Sequence, residues 1–292
     1  MRYDGESPGG ILAPPAVRRD GADLFLARLG SPDRPPIKAD DVAVVVAHPD
    51  DESIGCGAQL ERMEDAAVVV VTDGAPRNRV DANGLVSAES YAERRHRELA
   101  LALALGGIPE AWLVRFGIPD QEAAHHLLDI THRLNALFAR RATRVVLTHA
   151  YEGGHPDHDA VAFAVHAAAR LRRLRGQSIA IVEMPYYAEG PSGRMLQRFS
   201  PDPACPELAV RIAGRERTVK ARMFAAHRTQ QRTLAQFALD VERFRRAPAW
   251  DFRLLPNGGR LLYEKQDWGM TGERWLALAR DALKQLDLDG TP

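Results

Sequence analysis

VAVVVAHPDDE, residues Val42–Glu52, is the stretch whose reading decides the fold. A run of β-branched and small apolar residues stops at one histidine, one proline and three carboxylates. An unalternating apolar run of this length reads as a strand covered on both faces. A buried strand that ends on Asp50, Asp51 and Glu52 needs something to offset their charge, because unpaired carboxylates are costly to desolvate. A divalent cation at the carboxyl end of the strand does this, together with His48. Far downstream the arrangement recurs: Val145–Thr148 (VVLT) leads through HAYEGG into His155-Pro156-Asp157-His158. Two strands, each delivering a histidine–carboxylate cluster, point to one divided metal site.

Outward from these stretches, apolar runs predict strands at Val42–Ala47, Ala67–Thr72, Ala111–Phe116, Arg144–Thr148 and Ile179–Met184. Helical patterns fill the intervals at Ile54–Asp65, Ala88–Leu105, Gln121–Arg141 and His158–Arg175. This alternation predicts an α/β, Rossmann-like, mostly parallel sheet with helices on both faces. Its site is then expected at the C-terminal ends of the strands. Residues 1–40 are rich in Pro, Gly and Asp and read as an N-terminal extension with one helix packed on the domain. Residues 41–292 read as a single domain, elaborated from about residue 185. Within that elaboration Tyr186–Leu208 is rich in Pro, Gly and Ser, Arg215–Phe244 looks helical, and Thr271–Gln285 reads as a final helix.

Lys and Arg number 39, as do Asp and Glu, so the formal charge is zero. That balance argues against bulk attraction to nucleic acid or to an anionic membrane. No apolar run is long enough to span a bilayer, and the N-terminus lacks a signal pattern, so a cytoplasmic enzyme is expected. The two cysteines, Cys56 and Cys205, form neither a disulfide framework nor a CxxC zinc knuckle.

His48 and Asp51 stand three apart across a strand-to-helix turn, and His155 and His158 share that spacing. Two residues of one cluster and one of the other make a triad of two histidines and one carboxylate, leaving a fourth metal position for water. The surplus carboxylate and histidine then lie beside the ion as general base and oxyanion partner. Spacing alone leaves open which of Asp50 and Asp51, and which of His155 and His158, is the ligand. Plainer roles compete. Asp50, Asp51 and Asp157 also suit helix N-termini, Asp120 suits an N-cap before Gln121, and Arg95 suits an exposed helix face paired with Glu98 or Glu93. His149 reads as a pocket-lining or core histidine, and His227 as a structural one or one that supports the ligands from behind.

AHPDDE followed by GGHPDH resembles the LmbE-like, or PIG-L, superfamily of metal-dependent N-deacetylases that act on N-acetylglucosamine conjugates. The resemblance implies His48, Asp51 and His158 as ligands of Zn²⁺ or another divalent metal. It implies Asp50 as general base and a cationic His155 that stabilises the tetrahedral intermediate. Arg95-x-x-Glu98 with Leu105-Gly106 resembles the family's RxxE…LG helix, and Asp120 in FGIPDQ its sugar-contacting aspartate, which implies substrate contacts for Arg95 and Asp120. Lys220…His227-x-x-Gln230 resembles a KxxxxxxHxxQ signature. The implied reaction removes acetate from an N-acetylated amino-sugar conjugate, a small molecule or glycoconjugate, with no nucleic acid and no membrane insertion. Rival readings on the same scaffold are an amidase acting on a thiol conjugate and a metal-binding protein without catalysis. Loops Asp73–Glu89 and Tyr186–Leu208 are expected to choose the aglycone.

Overall fold

The computed structural model describes residues 21–77, 87–266 and 268–290. The first twenty residues of the extension, and residues 78–86 of the Asp73–Glu89 loop, lie outside that description. In chain order, α1 (Gly21–Leu29) precedes β1 (Ile37–Lys38), β2 (Val42–Val46), α2 (Asp51–Leu60), β3 (Met63–Glu64) and β4 (Ala67–Pro76). Next come α3 (Ala88–Leu105), β5 (Leu113–Asp120), α4 (Leu127–Arg140), β6 (Val145–His149), α5 (Pro156–Arg173) and β7 (Ala180–Met184). A hairpin of β8 (Tyr187–Gly190) and β9 (Gly193–Leu196) follows, then β10 (Leu208–Arg211) and α6 (Gly214–Ala226). The chain continues through α7 (Gln231–Leu234), β11 (Val241–Arg246) and α8 (Gly272–Gln285).

Seven strands form one sheet in the order β10-β11-β7-β6-β2-β4-β5. Strands β7, β6, β2, β4 and β5 are parallel, while β11 and β10 pair antiparallel at one edge. Side chains alternate across a strand, so the unbroken apolar run of β2 serves two cores at once. Val42, Val44 and Val46 pack with Phe25 and Leu29 of α1, Leu99 of α3 and Met223 of α6. Ala43, Val45 and Ala47 pack with Phe138 of α4, Phe163 of α5 and Trp275 of α8. The result is the α/β fold with helices on both faces that the sequence predicts. Among the described residues no helix is long and apolar enough to cross a membrane.

The order of the strands positions the site. The chain builds β2, β4 and β5 outward in one direction, then returns to lay β6 and β7 on the other side of β2. Helices leaving β2 and β6 therefore diverge, and a crevice opens between the two strand ends, where open α/β sheets bind ligands. Val42 pairs with Val145 and Val44 with Leu147, which brings the HPDD and HPDH turns side by side.

Two helical expectations are corrected. The stretch Arg215–Phe244 is helical only to Ala226, apart from one turn at α7, and ends in strand β11. In Val241–Arg246 (VERFRR), Glu242 and Phe244 are buried with Arg245, and the charged residues find partners. Glu242 meets Lys220 at 2.7 Å and Arg245 meets Glu183 at 2.8 Å. Buried ion pairs thus hide a strand behind charge content that reads as a solvated helix. The helix expected at Ile54–Asp65 instead starts at Asp51 and stops at Leu60. Just beyond it Met63–Glu64 pairs with β1, and Arg62 turns back onto the carbonyls of Arg28, Leu29 and Pro35.

Candidate metal centre

Donor atoms of three residues converge where β2 and β6 end. His48 Nδ1 lies 3.2 Å from His158 Nε2 and 3.2 Å from Asp51 Oδ2, and Asp51 Oδ1 lies 3.5 Å from His158 Nε2. Tetrahedral zinc with bonds of about 2.0–2.1 Å holds its ligands roughly 3.3–3.4 Å apart. In the triangle of His48, Asp51 and His158 these separations are of the size a small divalent cation needs, with Asp51 meeting the two histidines through different oxygens; His48, His155 and His158 also bring three donor atoms together. All three side chains are buried.

Neighbouring groups fix the orientation of each. On the far edge of His48, Nε2 faces Asp157 Oδ2 at 3.2 Å and Asp120 Oδ1 at 3.3 Å, leaving Nδ1 for the cation. Carboxylates behind a ligating imidazole are the usual means of setting its tautomer. His149 stacks on His158 with ring centroids 4.0 Å apart and planes 17° apart. Its Nε2 accepts the Ala47 N–H at 2.8 Å, and with Asp51 and His158 it makes a further set of groups that could hold a metal ion. Tyr186 donates its hydroxyl to the Asp51 carbonyl at 2.9 Å.

Capping does not explain the aspartates. Asp50 makes no cap hydrogen bond; its Oδ2 faces Arg95 Nη2 at 3.2 Å. Asp51 Oδ2 accepts the N–H of His48 at 2.7 Å. Arg95 is buried and pairs with neither Glu98 nor Glu93: it donates to the carbonyls of Gly74 and Pro49 at 2.9 and 3.0 Å. Gly74 has φ of +65°, and a Cβ there would lie 2.8 Å from the guanidinium, so this approach requires glycine. Asp120 ends β5 and faces His48, with no cap role before Gln121. Asp157 is also not the N-cap of α5. That position belongs to His155, whose Nδ1 accepts the Asp157 N–H at 3.1 Å. The Asp157 carboxylate instead accepts the N–H groups of Gln121 and Ala123, tying the β5 loop to α5.

The local field favours positive charge around His48. Burial opposes a proton there, but Asp120 and Asp51 outweigh it and raise the His48 pKa well above the ordinary imidazole value. Asp51 is held low despite burial, by His158 and His48. Burial lifts the Asp50 carboxyl to about 6 against the pull of Arg95. For His155, burial followed by His48 and His158 pushes the pKa well down. With Nδ1 occupied as an acceptor, His155 is a neutral imidazole that offers Nε2–H, not the cation expected from the sequence.

Above the triangle opens a cavity of about 440 Å³, within the ordinary range for small-molecule sites. Its floor holds His48, Asp50, Asp51, Asp120, His155 and His158, and Arg95 lies in its wall. All seven residues singled out in the sequence thus meet in one place. Two contributors carry no legible signal in sequence. Tyr187 and Trp268 flank the histidines, the Trp268 ring 4.4 Å from that of His155. Glu52, Ser53 and His227 form a buried cluster behind α2, with His227 Nε2 3.3 Å from Glu52 and 3.2 Å from Ser53. A second cleft, of about 560 Å³, lies at the other end of the strands beside Arg144 and Ala180, and no histidine or carboxylate lines it among the described residues.

The family model described as PIG-L: GlcNAc-PI de-N-acetylase matches residues 43–169. Among solved structures, the A40926 pseudoaglycone deacetylase is 20% identical with a TM-score of 0.55, over 72% of this chain and 97% of that one. A teicoplanin-pathway deacetylase complex is 15% identical with a TM-score of 0.53, over 72% and 99%. The N,N'-diacetylchitobiose deacetylase of Pyrococcus horikoshii is 19% identical with a TM-score of 0.50, over 66% and 71%. At these identities the likeness is one of fold. No curated protein matches the chain.

Proposed function

We propose that this protein, whose residues 43–169 match the family model described as PIG-L: GlcNAc-PI de-N-acetylase, is a metal-dependent hydrolase that removes acetate from an N-acetylated amino-sugar conjugate of the N-acetylglucosamine type. The observation that carries the proposal is the donor triangle of His48, Asp51 and His158, with separations of 3.2, 3.2 and 3.5 Å, and Asp50 beside it. Zn²⁺ suits two imidazoles and a carboxylate, and a bound divalent cation supplies Lewis-acid polarisation of the amide and acidification of water.

The chain's own residues do the rest. Asp50, lifted to about 6 by burial, is ionised at neutral pH yet basic enough to take the proton of the attacking water and return it to the leaving amine. Arg95 holds Asp50 in place at 3.2 Å, so its part is positioning as much as any direct substrate contact. His155 donates Nε2–H to the developing oxyanion as a neutral imidazole, with its tautomer fixed through Nδ1. Asp120, facing His48 and the cavity, stands where a sugar hydroxyl would be held. Products are acetate and the free amine.

Elemental analysis combined with acetate release from a panel of N-acetylglucosamine conjugates tests the reading. Asp50→Asn is expected to retain the metal and lose at least about 100-fold in kcat. Asp51→Asn is expected to lose the metal itself. Retained metal in the Asp51 variant, or full turnover in the Asp50 variant, would sink this division of labour.

A further inference from the structure

The turn after α6 carries His227-x-x-Gln230, a stretch that no step of the hydrolysis uses. It is tied to the face of α3 that carries Arg95. Tyr91, Arg95 and Glu98 are spaced at i, i+4 and i+7, so they share one side of that helix. Glu98 accepts the Thr229 N–H at 3.1 Å and the Thr229 hydroxyl at 2.6 Å. Gln230 Nε2 donates to the Tyr91 hydroxyl oxygen at 2.8 Å and to the Thr229 carbonyl at 3.2 Å. Tyr91, Thr229 and Gln230 all line the cavity, and Tyr91 is only 6% exposed. One helical turn separates Tyr91 from Arg95, whose guanidinium meets Asp50, so the pair stands on the Asp50 side of the cavity.

The direction of these bonds decides what the pair can hold. A carbonyl oxygen only accepts, so the Gln230 atom that faces Thr229 O is the amide nitrogen, which fixes how the side chain is turned. Both amide hydrogens are then used, one on that carbonyl and one on the Tyr91 oxygen. Tyr91 is the acceptor in its bond and keeps its own proton to donate, while Gln230 keeps Oε1 to accept. Among the described residues nothing else engages either group. A donor and an acceptor held side by side match a group that is itself both, and a free hydroxyl satisfies the two at once. An ether or ester oxygen can only accept, which leaves Oε1 unpaired, and a carboxylate sets its charge against Oε1. An ammonium group can only donate and leaves the Tyr91 proton without a partner.

We propose that Tyr91 and Gln230 form a hydroxyl-reading subsite, which makes one unsubstituted hydroxyl of the sugar a determinant of specificity. That the ligand is an amino sugar rests on the deacetylase reading; that the group recognised is a free hydroxyl rests on the polarity of the pair.

The test uses the metal-loaded protein and a simple alkyl N-acetylglucosaminide, together with analogues in which each free hydroxyl in turn is removed or O-methylated. Acetate release gives kcat/KM for each sugar with the wild type, Tyr91→Phe and Gln230→Met. Tyr91→Phe keeps the ring and its packing and deletes only the donor; Gln230→Met keeps the length and deletes the acceptor. With the wild type, at least one hydroxyl is expected to matter, its deoxy and O-methyl analogues falling about 10-fold or more below the parent. In Tyr91→Phe and in Gln230→Met that deoxy analogue should come within about twofold of the parent, while the ratios for the other hydroxyls stay as in the wild type. A merely structural tie between α3 and the turn would lower parent and analogues alike. Ratios that are unchanged in both variants, or no wild-type analogue more than about twofold below the parent, therefore overturn the subsite. Calorimetric titration of the same sugars separates the two readings. If no sugar releases acetate but the same pattern of ratios appears in Kd, the deacetylase reading fails and the subsite stands. If acetate is released with unchanged ratios, the subsite fails and the deacetylase reading stands. If no sugar is hydrolysed or bound, both fail.

Discussion

Lys220→Met is expected to be among the most damaging single changes outside the cavity. Lys220 and Glu242 are both completely buried, with 2.7 Å between Nζ and Oε1. Nζ also donates to the Ile54 carbonyl at 2.9 Å, and Glu242 accepts from Ala58 N and Gln59 Nε2 at 2.8 and 2.9 Å. The pair thus clamps α2, the helix that starts at Asp51, to α6 and β11. Methionine fills the aliphatic volume of the lysine but leaves a carboxylate with two donors where it had three. Removing one partner of a buried pair costs about 3–5 kcal/mol. The remaining two donors place the expectation near the lower end, about 3 kcal/mol, or roughly 5–8 °C in Tm for a chain of this size. Urea unfolding of wild type, Lys220→Met, Glu242→Gln and the double variant gives the coupling energy directly. The double variant should recover at least about 1 kcal/mol of the summed single losses, since no unpaired charge remains. A Lys220→Met loss below about 1 kcal/mol, or a coupling energy near zero, would refute the clamp.

Gly154→Ala places a Cβ 1.9 Å from the Tyr187 carbonyl oxygen, so the turn before His155 must move. A loss of about 1–3 kcal/mol in urea unfolding, together with weakened metal retention, is expected. Phe25→Ala deletes a ring of α1 that is buried in the sheet core and should cost about 3–5 kcal/mol, measured the same way; a loss under about 1 kcal/mol would mean α1 is dispensable. Burial drops the His166 pKa to about 4, below its value of about 6.5 in the unfolded chain. The native state then binds fewer protons than the unfolded one between these values. Stability from this group is present above about pH 6.5 and lost as pH falls towards 4, up to about 3 kcal/mol. His166→Gln should therefore gain on the wild type at pH 4.5 relative to pH 7, and a constant difference between them would show that His166 titrates normally.

Much of the site is legible in the sequence because its signal is local. An apolar run that ends in HPDD or HPDH announces both a strand and a charge to be offset, and no partner need be known. What escapes depends on distant partners. Strand β11 reads as helix because Glu242 and Arg245 look solvated until Lys220 and Glu183 are seen beside them. Asp157 looks like a cap, yet its carboxylate is spent on the backbone of Gln121 and Ala123. Arg95 is legible as important, but that its guanidinium clasps Asp50 and the Pro49 and Gly74 carbonyls is not. Tyr187 and Trp268 belong to stretches without periodic signal, and only the folded chain brings them to the histidines.

His48 and His158 meet across 110 residues of sequence. Neither the first half of the sheet nor the second contains a complete donor set, so the triangle appears only once β6 has docked on β2. Closing so long a loop is a late and entropically expensive event in the folding of a parallel sheet. A cation bound there would be linked to global folding and not to any local element. An ion held at a hundred times its dissociation constant would add about 2.7 kcal/mol to the native state. Chelation should then lower the unfolding midpoint of the entire molecule, making metal occupancy and chain stability two readings of a single equilibrium.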